Sequence, residues 1–222
     1  MKVLVAGGAG YIGSHVALEL SRRGYEPVVY DNLSKGHRQA VTTGSLVVGE
    51  IDDTKLLTEV MTGEGIEAVI HLAAHSLVGE SVQNPAKYFQ NNISGGLRLL
   101  EAVIASKVKY FVFSSTAAVY GEPEEIPIAE DHPKMPTNPY GFSKLTFEGI
   151  LEAYEKAYGL RFISLRYFNA AGADPEAGIG EDHHPESHLI PIVLQVALGK
   201  RKGLELYGTD YPTPDGTCIR DY

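Results

Sequence analysis

The sequence predicts a doubly wound α/β fold on a parallel sheet, and three observations carry that prediction. Short apolar runs of strand length recur at residues 3–6, 27–30, 46–48, 67–74, 110–113 and 162–167. Longer segments with helix-start signals separate them, and strands alternating with helices build a parallel sheet joined by right-handed crossovers. The first run breaks into Gly7, Gly10 and Gly13, whose spacing reads as strand, tight turn and helix. The strand order expected from this pattern is 3-2-1-4-5-6, that of a Rossmann fold.

The elements follow in order. Bare backbone N–H groups at the glycine turn can meet a pyrophosphate without help from any side chain. The second run ends in Asp31, about twenty residues past the turn, where a carboxylate accepts the hydroxyls of an adenosine ribose. The same charge repels a 2′-phosphate, so the pattern favours NAD over NADP. A polar loop over 32–44 precedes the third strand, after which Asp53 caps a helix running through Met61. The run 67–74 reads as a strand buried on both faces, with His71 expected as a hydrogen-bonded core histidine. Asn84-Pro85 opens a long helix through Leu97, Leu99, Leu100, Val103 and Ile104, inside which Asn91 and Asn92 are polar amides in need of a reason.

The fifth strand ends in Ser114-Ser115-Thr116, at the sheet edge where ligands sit in open α/β folds. A proline-rich acidic loop leads to Asn138-Pro139, which starts a helix ending near Gly159, and the sixth strand follows. From Ala170 the character changes to a Gly- and acid-rich loop holding His183, His184 and His188. A metal site is the sharp reading of those histidines. Adjacent histidines point apart, however, and the acids suit a solvated loop, so no metal is expected. A short helix over 189–198 and a short strand over 204–207 complete the reading.

Size and composition bound the function. A chain of 222 residues buries one substantial core with room for a small second lobe. The expected division is a cofactor-binding domain over 1–175 and part of a substrate-binding lobe over 176–222. A formal charge of -9 without any Lys/Arg run argues against nucleic acid and anionic membranes and for a small-molecule ligand. Cys218 is the single cysteine, which suits a reducing compartment. The opening apolar run is too short for a signal peptide, and no segment approaches the roughly 20 apolar residues of a membrane span. A cytoplasmic location is expected.

The catalytic candidates are Tyr140 and Lys144, one helical turn apart on one face, with Thr116 arriving from a strand end. Bringing a tyrosine from its ordinary pKa of about 10 to about 7 takes roughly 4 kcal/mol. One nearby cation supplies ~1 to 3 units of that shift. A positive nicotinamide ring is the natural second source, and Tyr140 then serves as general base for an alcohol that gives up hydride.

Together, Gly7 to Gly13, Asp31-Asn32-Leu33, Ser114-Ser115-Thr116, Tyr140-Gly141-Phe142-Ser143-Lys144 and Arg166-Tyr167-Phe168-Asn169 resemble the extended short-chain dehydrogenase/reductases. The resemblance runs along the whole chain, including Val78 to Val82, Gly180-Glu181-Asp182, His188-Leu189-Ile190-Pro191 and the segment from Asp215 to Tyr222. It implies NAD as cofactor, with Tyr11 and Ile12 on the pyrophosphate, Asp31 and Asn32 on the adenine ribose and Glu50 and Ile51 at the adenine. Leu72, Ala73, Ala74, Asn91 and Phe168 line the cofactor in this reading, and Tyr140 and Lys144 also touch it. Thr116, Tyr140, Asn169, His188, Leu189, Tyr207 and Arg220 face a UDP-sugar.

Relatives that eliminate water carry an acid pair after the Thr, where this chain has Ala117 and Ala118. The implied reaction is therefore redox-neutral: interconversion of UDP-galactose and UDP-glucose through a 4-keto sugar, in galactose metabolism. Epimerisation of another UDP-sugar, an N-acetylated hexosamine or a pentose, and an NAD-binding regulatory protein without turnover are the alternatives. The resemblance also suggests a homodimer through the helices that begin near Pro85 and Pro139. Relatives continue past the Arg-Asp-Tyr that closes this sequence. The chain is accordingly expected to be truncated, to leave Ile190, Val193 and Leu194 partly uncovered, and to bind NAD better than UDP-sugar.

Overall fold

A computed structural model of the protein describes residues 1–218. Six strands, β1 (Lys2–Ala6), β2 (Glu26–Asp31), β3 (Ser45–Val48), β4 (Ala68–His71), β5 (Tyr110–Thr116) and β6 (Arg161–Tyr167), pair in the order β3-β2-β1-β4-β5-β6. Every pairing is parallel, and the order is the expected one. Leu4, Val5 and Ala6 of the central strand are wholly buried, as a strand covered on both faces requires. Val5 lies opposite Val29 on one side and Ile70 on the other. The chain leaves β1 towards β2 and later returns on the far side of β1 with β4. The carboxyl end of β1 is thus the switch point where crevices form in such sheets.

Local chemistry sets the helix ends. In α1 (Tyr11–Arg22) the cap is Gly10, without a side chain to offer. In α2 (Thr54–Glu64) the Asp53 carboxylate accepts from Leu56 N and Gly65 closes the helix in the left-handed conformation. α6 (Pro139–Tyr158) repeats the device, with Asn138 Oδ1 accepting from Gly141 N at 2.9 Å and Gly159 as its left-handed stop. The long helix expected from Pro85 forms in three parts: α4 (Pro85–Tyr88), a π-helical stretch Phe89–Gly95, and α5 (Gly96–Ala105). A short helix, α3 (Val78–Gln83), precedes it and is absent from the sequence reading.

The main core joins Leu4, Tyr30 and Val69 of the sheet to Leu57 and Met61 of α2, Leu99, Leu100 and Val103 of α5, and Phe147 and Leu151 of α6. Ala9, Ala17 and Val29 form a smaller cluster under α1. Among the described residues, no helix is long and apolar enough to cross a membrane.

The chain divides into two compact units, Met1–Tyr167 and the residues from Phe168 onward. The second unit holds α7 (Leu189–Ala197) and an isolated antiparallel bridge between Asp174 and Ile179. The strand expected over 204–207 does not form, and Leu206 and Tyr207 are each 86% exposed. An alternating pattern makes a strand only where another edge accepts its hydrogen bonds, and none is paired with it here. Ile190, Val193 and Leu194 on α7 are exposed.

Candidate active site

At the switch point the glycines act through what they leave out. Gly7 has φ +81°, and a Cβ there would lie 2.6 Å from Ala73 N, so β1 could not turn beside the residues that follow β4. A side chain on Gly13 would meet the Gly7 carbonyl, which lets α1 sit directly on the turn. Gly10 gives α1 no side-chain cap, so the first-turn amides at Tyr11, Ile12 and Gly13 form the positive end of the helix, built for an anion. This cradle fits a pyrophosphate.

Asp31 closes β2 beside the turn and is 8% exposed. Its Oδ2 accepts from Ala9 N at 3.0 Å and its Oδ1 from Leu33 N at 2.8 Å. The carboxylate is therefore anchored to the glycine turn and to its own loop, and each oxygen keeps a second lone pair for a ribose hydroxyl. Asn32 next to it donates to Glu50 Oε2 at 2.8 Å, and the Glu50 carbonyl accepts from the buried Tyr30 hydroxyl at 2.8 Å. Ile51, also buried, packs where a Cβ on Gly95 would stand. Asp31, Asn32, Glu50 and Ile51 are thus brought to one end of the sheet.

Beyond the turn, Leu72 N donates to Ala6 O at 2.8 Å and fixes the start of the 72–74 wall against β1. Asn92 supplies a feature the sequence reading left unassigned. Buried in the π-helical stretch, its Oδ1 accepts from His75 N at 2.9 Å while its Nδ2 donates to His75 O at 3.0 Å and Ser143 Oγ at 3.1 Å. One amide thereby ties the 72–75 wall to α6 one residue before Lys144. Asn91, the residue expected on the cofactor, donates its Nδ2 to Asn92 Oδ1 at 2.9 Å. The polar pair inside an apolar helix was the legible signal, and the buried member of it is Asn92.

The reactive groups meet where β5 ends and α6 begins. Thr116 is 8% exposed, and its Oγ1 accepts from Ala118 N at 3.2 Å. Tyr140 is half-buried beside Thr116; burial pushes the phenol above its ordinary value and the threonine hydroxyl pulls it partly back. Lys144 is 3% exposed, with Nζ donating to Ser114 O at 2.7 Å, 4.8 Å from the Phe113 ring centre and 5.9 Å from that of Tyr140. Burial lowers its pKa to about 7. The share of the Tyr140 shift expected from the Lys144 ammonium is not found, since only burial and Thr116 move the phenol. Desolvation works against both charged forms, and the cation is drawn toward a strand carbonyl.

His71 lies in the core beneath this site, against Phe111, Phe113 and Phe147, and its Nδ1 has no hydrogen-bond partner. The expectation of a hydrogen-bonded histidine is corrected at that atom. Burial first, and the Lys144 charge second, lower its pKa to about 3, so it stays neutral. A second group the sequence reading missed is Glu148, one turn beyond Lys144 on α6. Its carboxylate accepts from Ser115 Oγ at 2.6 Å, Arg166 Nε at 3.0 Å and Arg166 Nη2 at 2.9 Å. Arg166 also donates to the Tyr120 hydroxyl at 2.6 Å. The network locks β5, β6 and α6 together around Thr116. Its signal was a glutamate on the buried face of α6 and an arginine within a strand.

Phe168, Asn169, His188, Leu189 and Tyr207 belong to the second unit, where Phe168 is 45%, Leu189 48% and Tyr207 86% exposed. Arg220 lies outside the described residues.

Comparison with known proteins places this arrangement. The family model for the NAD dependent epimerase/dehydratase family matches residues 3–222. The UDP-glucose 4-epimerase of Halalkalibacterium halodurans is 55% identical over 222 residues, all of this chain and 66% of that protein. The Brucella ovis UDP-glucose 4-epimerase, solved in complex with NAD, superposes with a TM-score of 0.94 at 52% identity, over 98% of this chain and 67% of that one. The UDP-Glc/GlcNAc 4-epimerase of Campylobacter jejuni superposes with a TM-score of 0.79 at 37% identity, over 98% of this chain and 68% of that one. The chain thus spans about two thirds of the length of the curated relatives it matches. On the family-model match over residues 3–222 the chain belongs to the NAD dependent epimerase/dehydratase family.

Proposed function

We propose that this chain carries the cofactor cradle and the proton-transfer groups of an NAD-dependent 4-epimerase acting on UDP-galactose and UDP-glucose. The observation that carries the reading is the meeting of half-buried Tyr140 with buried Thr116 and Lys144 at the carboxyl end of β5, the end of the sheet where the glycine turn also lies. NAD, when bound, supplies a hydride acceptor and a positively charged ring. Gly7, Gly10, Tyr11, Ile12 and Gly13 hold its pyrophosphate, Asp31 and Asn32 its adenine ribose, and Glu50 and Ile51 flank the adenine. Leu72, Ala73, Ala74, Asn91 and Phe168 line its path.

Tyr140 Oη takes the proton of the sugar 4-hydroxyl and returns it once the 4-keto sugar has presented its other face. Thr116 holds that oxygen in line, and Lys144, fixed by the Ser114 carbonyl, supplies positive charge one turn away. Ala117 and Ala118 offer no acid or base, so elimination of water has no catalyst here. Asn169, His188, Leu189, Tyr207 and Arg220 take the nucleotide sugar. The metabolic place is galactose metabolism in the cytoplasm, a setting that the single cysteine suits. A homodimer through α4, α5 and α6 belongs to the same reading, supported by Phe142, 54% exposed beside Phe89.

A second reading is a 4-epimerase for UDP-N-acetylhexosamines, favoured by the printed name of the Campylobacter jejuni relative. Bound NAD and turnover of UDP-galactose and UDP-N-acetylgalactosamine are measured side by side, on the chain and on a form extended to the length of its relatives. The leading reading expects bound NAD and faster turnover of UDP-galactose in the extended form. Faster turnover of the acetylated sugar establishes the second reading, and bound NAD without turnover of either leaves a regulatory protein.

A further inference from the structure

The second unit holds a cluster that this reaction does not use as a set. Glu181, His183, Glu186 and His188 each direct one ligand atom inward, and the four atoms lie within 4.8 Å of one another. His188 Nδ1 is 2.9 Å from Glu181 Oε1 and 2.9 Å from Glu186 Oε1. His183 Nδ1 is 3.5 Å from Glu181 Oε1 and 3.8 Å from Glu186 Oε2. A tetrahedral zinc with ligand bonds of about 2.0 to 2.2 Å holds its donors about 3.3 to 3.6 Å apart; the His–Glu separations of 2.9 to 3.8 Å, in which Glu186 turns a different oxygen to each histidine, fall on either side of that edge length.

The objection from sequence does not reach this set. Adjacent histidines point apart, and the cluster takes His183 and leaves His184 out. Its donors come from one loop that curls around their common centre, the two histidine rings lying 4.8 Å apart between centres. The carboxylate side chains are only 6% and 13% exposed. Two anions drawn out of water at one point need positive charge to offset their desolvation.

We propose that Glu181, His183, Glu186 and His188 form a binding site for one divalent cation of the zinc type. Two imidazole nitrogens and two carboxylate oxygens suit Zn²⁺ or Co²⁺, whereas Mg²⁺ and Ca²⁺ want oxygen alone. Four protein donors close the coordination sphere, so the ion is structural, pinning the loop immediately ahead of α7. The site stands whether or not the epimerase reading does.

The tag-free chain is stripped with chelator and titrated with Co²⁺ at pH 7.5, then with Zn²⁺, while the visible spectrum is recorded. The expected result is one Co²⁺ per chain with the intense visible bands of tetrahedral coordination, displaced by one equivalent of Zn²⁺ and unaffected by millimolar Mg²⁺. His183→Gln and Glu186→Gln, checked for native circular dichroism, each weaken binding roughly tenfold or more. If a variant does not fold, the spectrum of the unaltered chain decides. The weak spectrum of hexa-aquo Co²⁺ throughout the titration, or tetrahedral binding that survives both substitutions, overturns the proposal. In the first case the cluster is held by its histidine–carboxylate contacts alone.

Discussion

At the β1 and β2 end of the sheet the candidate groups are backbone amides and one carboxylate already anchored to backbone, whereas at the β5 and α6 end they are long side chains drawn wholly or partly out of water. The first end is a shape: Gly7, Gly10 and Gly13 leave room, and Asp31 is held by Ala9 N and Leu33 N. The second is an electrostatic setting. Burial raises Tyr140, lowers Lys144 to about 7 and keeps His71 neutral within one small volume. A shape tolerates changes in the chemistry nearby, because amide dipoles do not titrate. A set of buried titratable groups is strongly coupled, so a change in one alters what its neighbours can carry.

The comparison is broken first at the chemical end. Tyr140→Phe is expected to lower epimerase turnover by about 10³-fold, within the span of general acid–base contributions. Affinity for NAD should stay within roughly threefold, because the cradle is backbone. Retained turnover, measured beside NAD binding by calorimetry, would place the base elsewhere.

Lys144 sharpens the comparison through stability. Folding lowers its pKa from about 10.4 to about 7. Below about pH 7 both states hold the proton, and the folded state bears the full cost of a buried charge. From there up to about pH 10.4 the unfolded chain binds more protons, so this group makes stability rise with pH, by up to roughly 5 kcal/mol. Lys144→Met leaves the Ser114 carbonyl without its donor, a fixed offset, but removes the slope. Denaturant midpoints of both proteins at pH 7, 8.5 and 9.5 read the difference, and parallel curves would refute the buried charge.

The smallest effect is expected at the first end. Asp31→Asn sets an amide N–H₂ group against one of the two backbone donors, costing about 1 to 2 kcal/mol. NAD affinity should fall about tenfold, and the preference over NADP should narrow as the repelling charge is lost. An unchanged NADP to NAD ratio would show that Asp31 does not set cofactor choice.

The two ends also differed in how far the sequence disclosed them. Glycine spacing, an acid at a strand end and caps such as Asp53 and Asn138 are local, and each was found where the residues put it. Tyr140 and Lys144 were legible as a one-turn pair, and Thr116 as a strand-end hydroxyl. Asn92 and the histidines of the 181–188 loop stood out in sequence without their partners, and Glu148 did not stand out, because those partners lie elsewhere in the chain or depend on how a loop curls. The strand at 204–207 failed for the complementary reason, since its pattern was right and no neighbouring edge paired with it.

By itself the sequence determined the six-stranded parallel order and the glycine turn, because short-range sterics and alternation of apolar runs leave few other arrangements. It also placed the pair one turn apart on α6, since helical periodicity needs no tertiary information. Only the tertiary structure decided the charge states there. Desolvation depends on what packs overhead, and Phe113, Phe147 and the Asn92 bridge come from three separate elements. It decided too that the acid of Asp31 is held by the turn it serves, because the amide that holds it belongs to a residue on the far side of α1 in sequence and beside it in space.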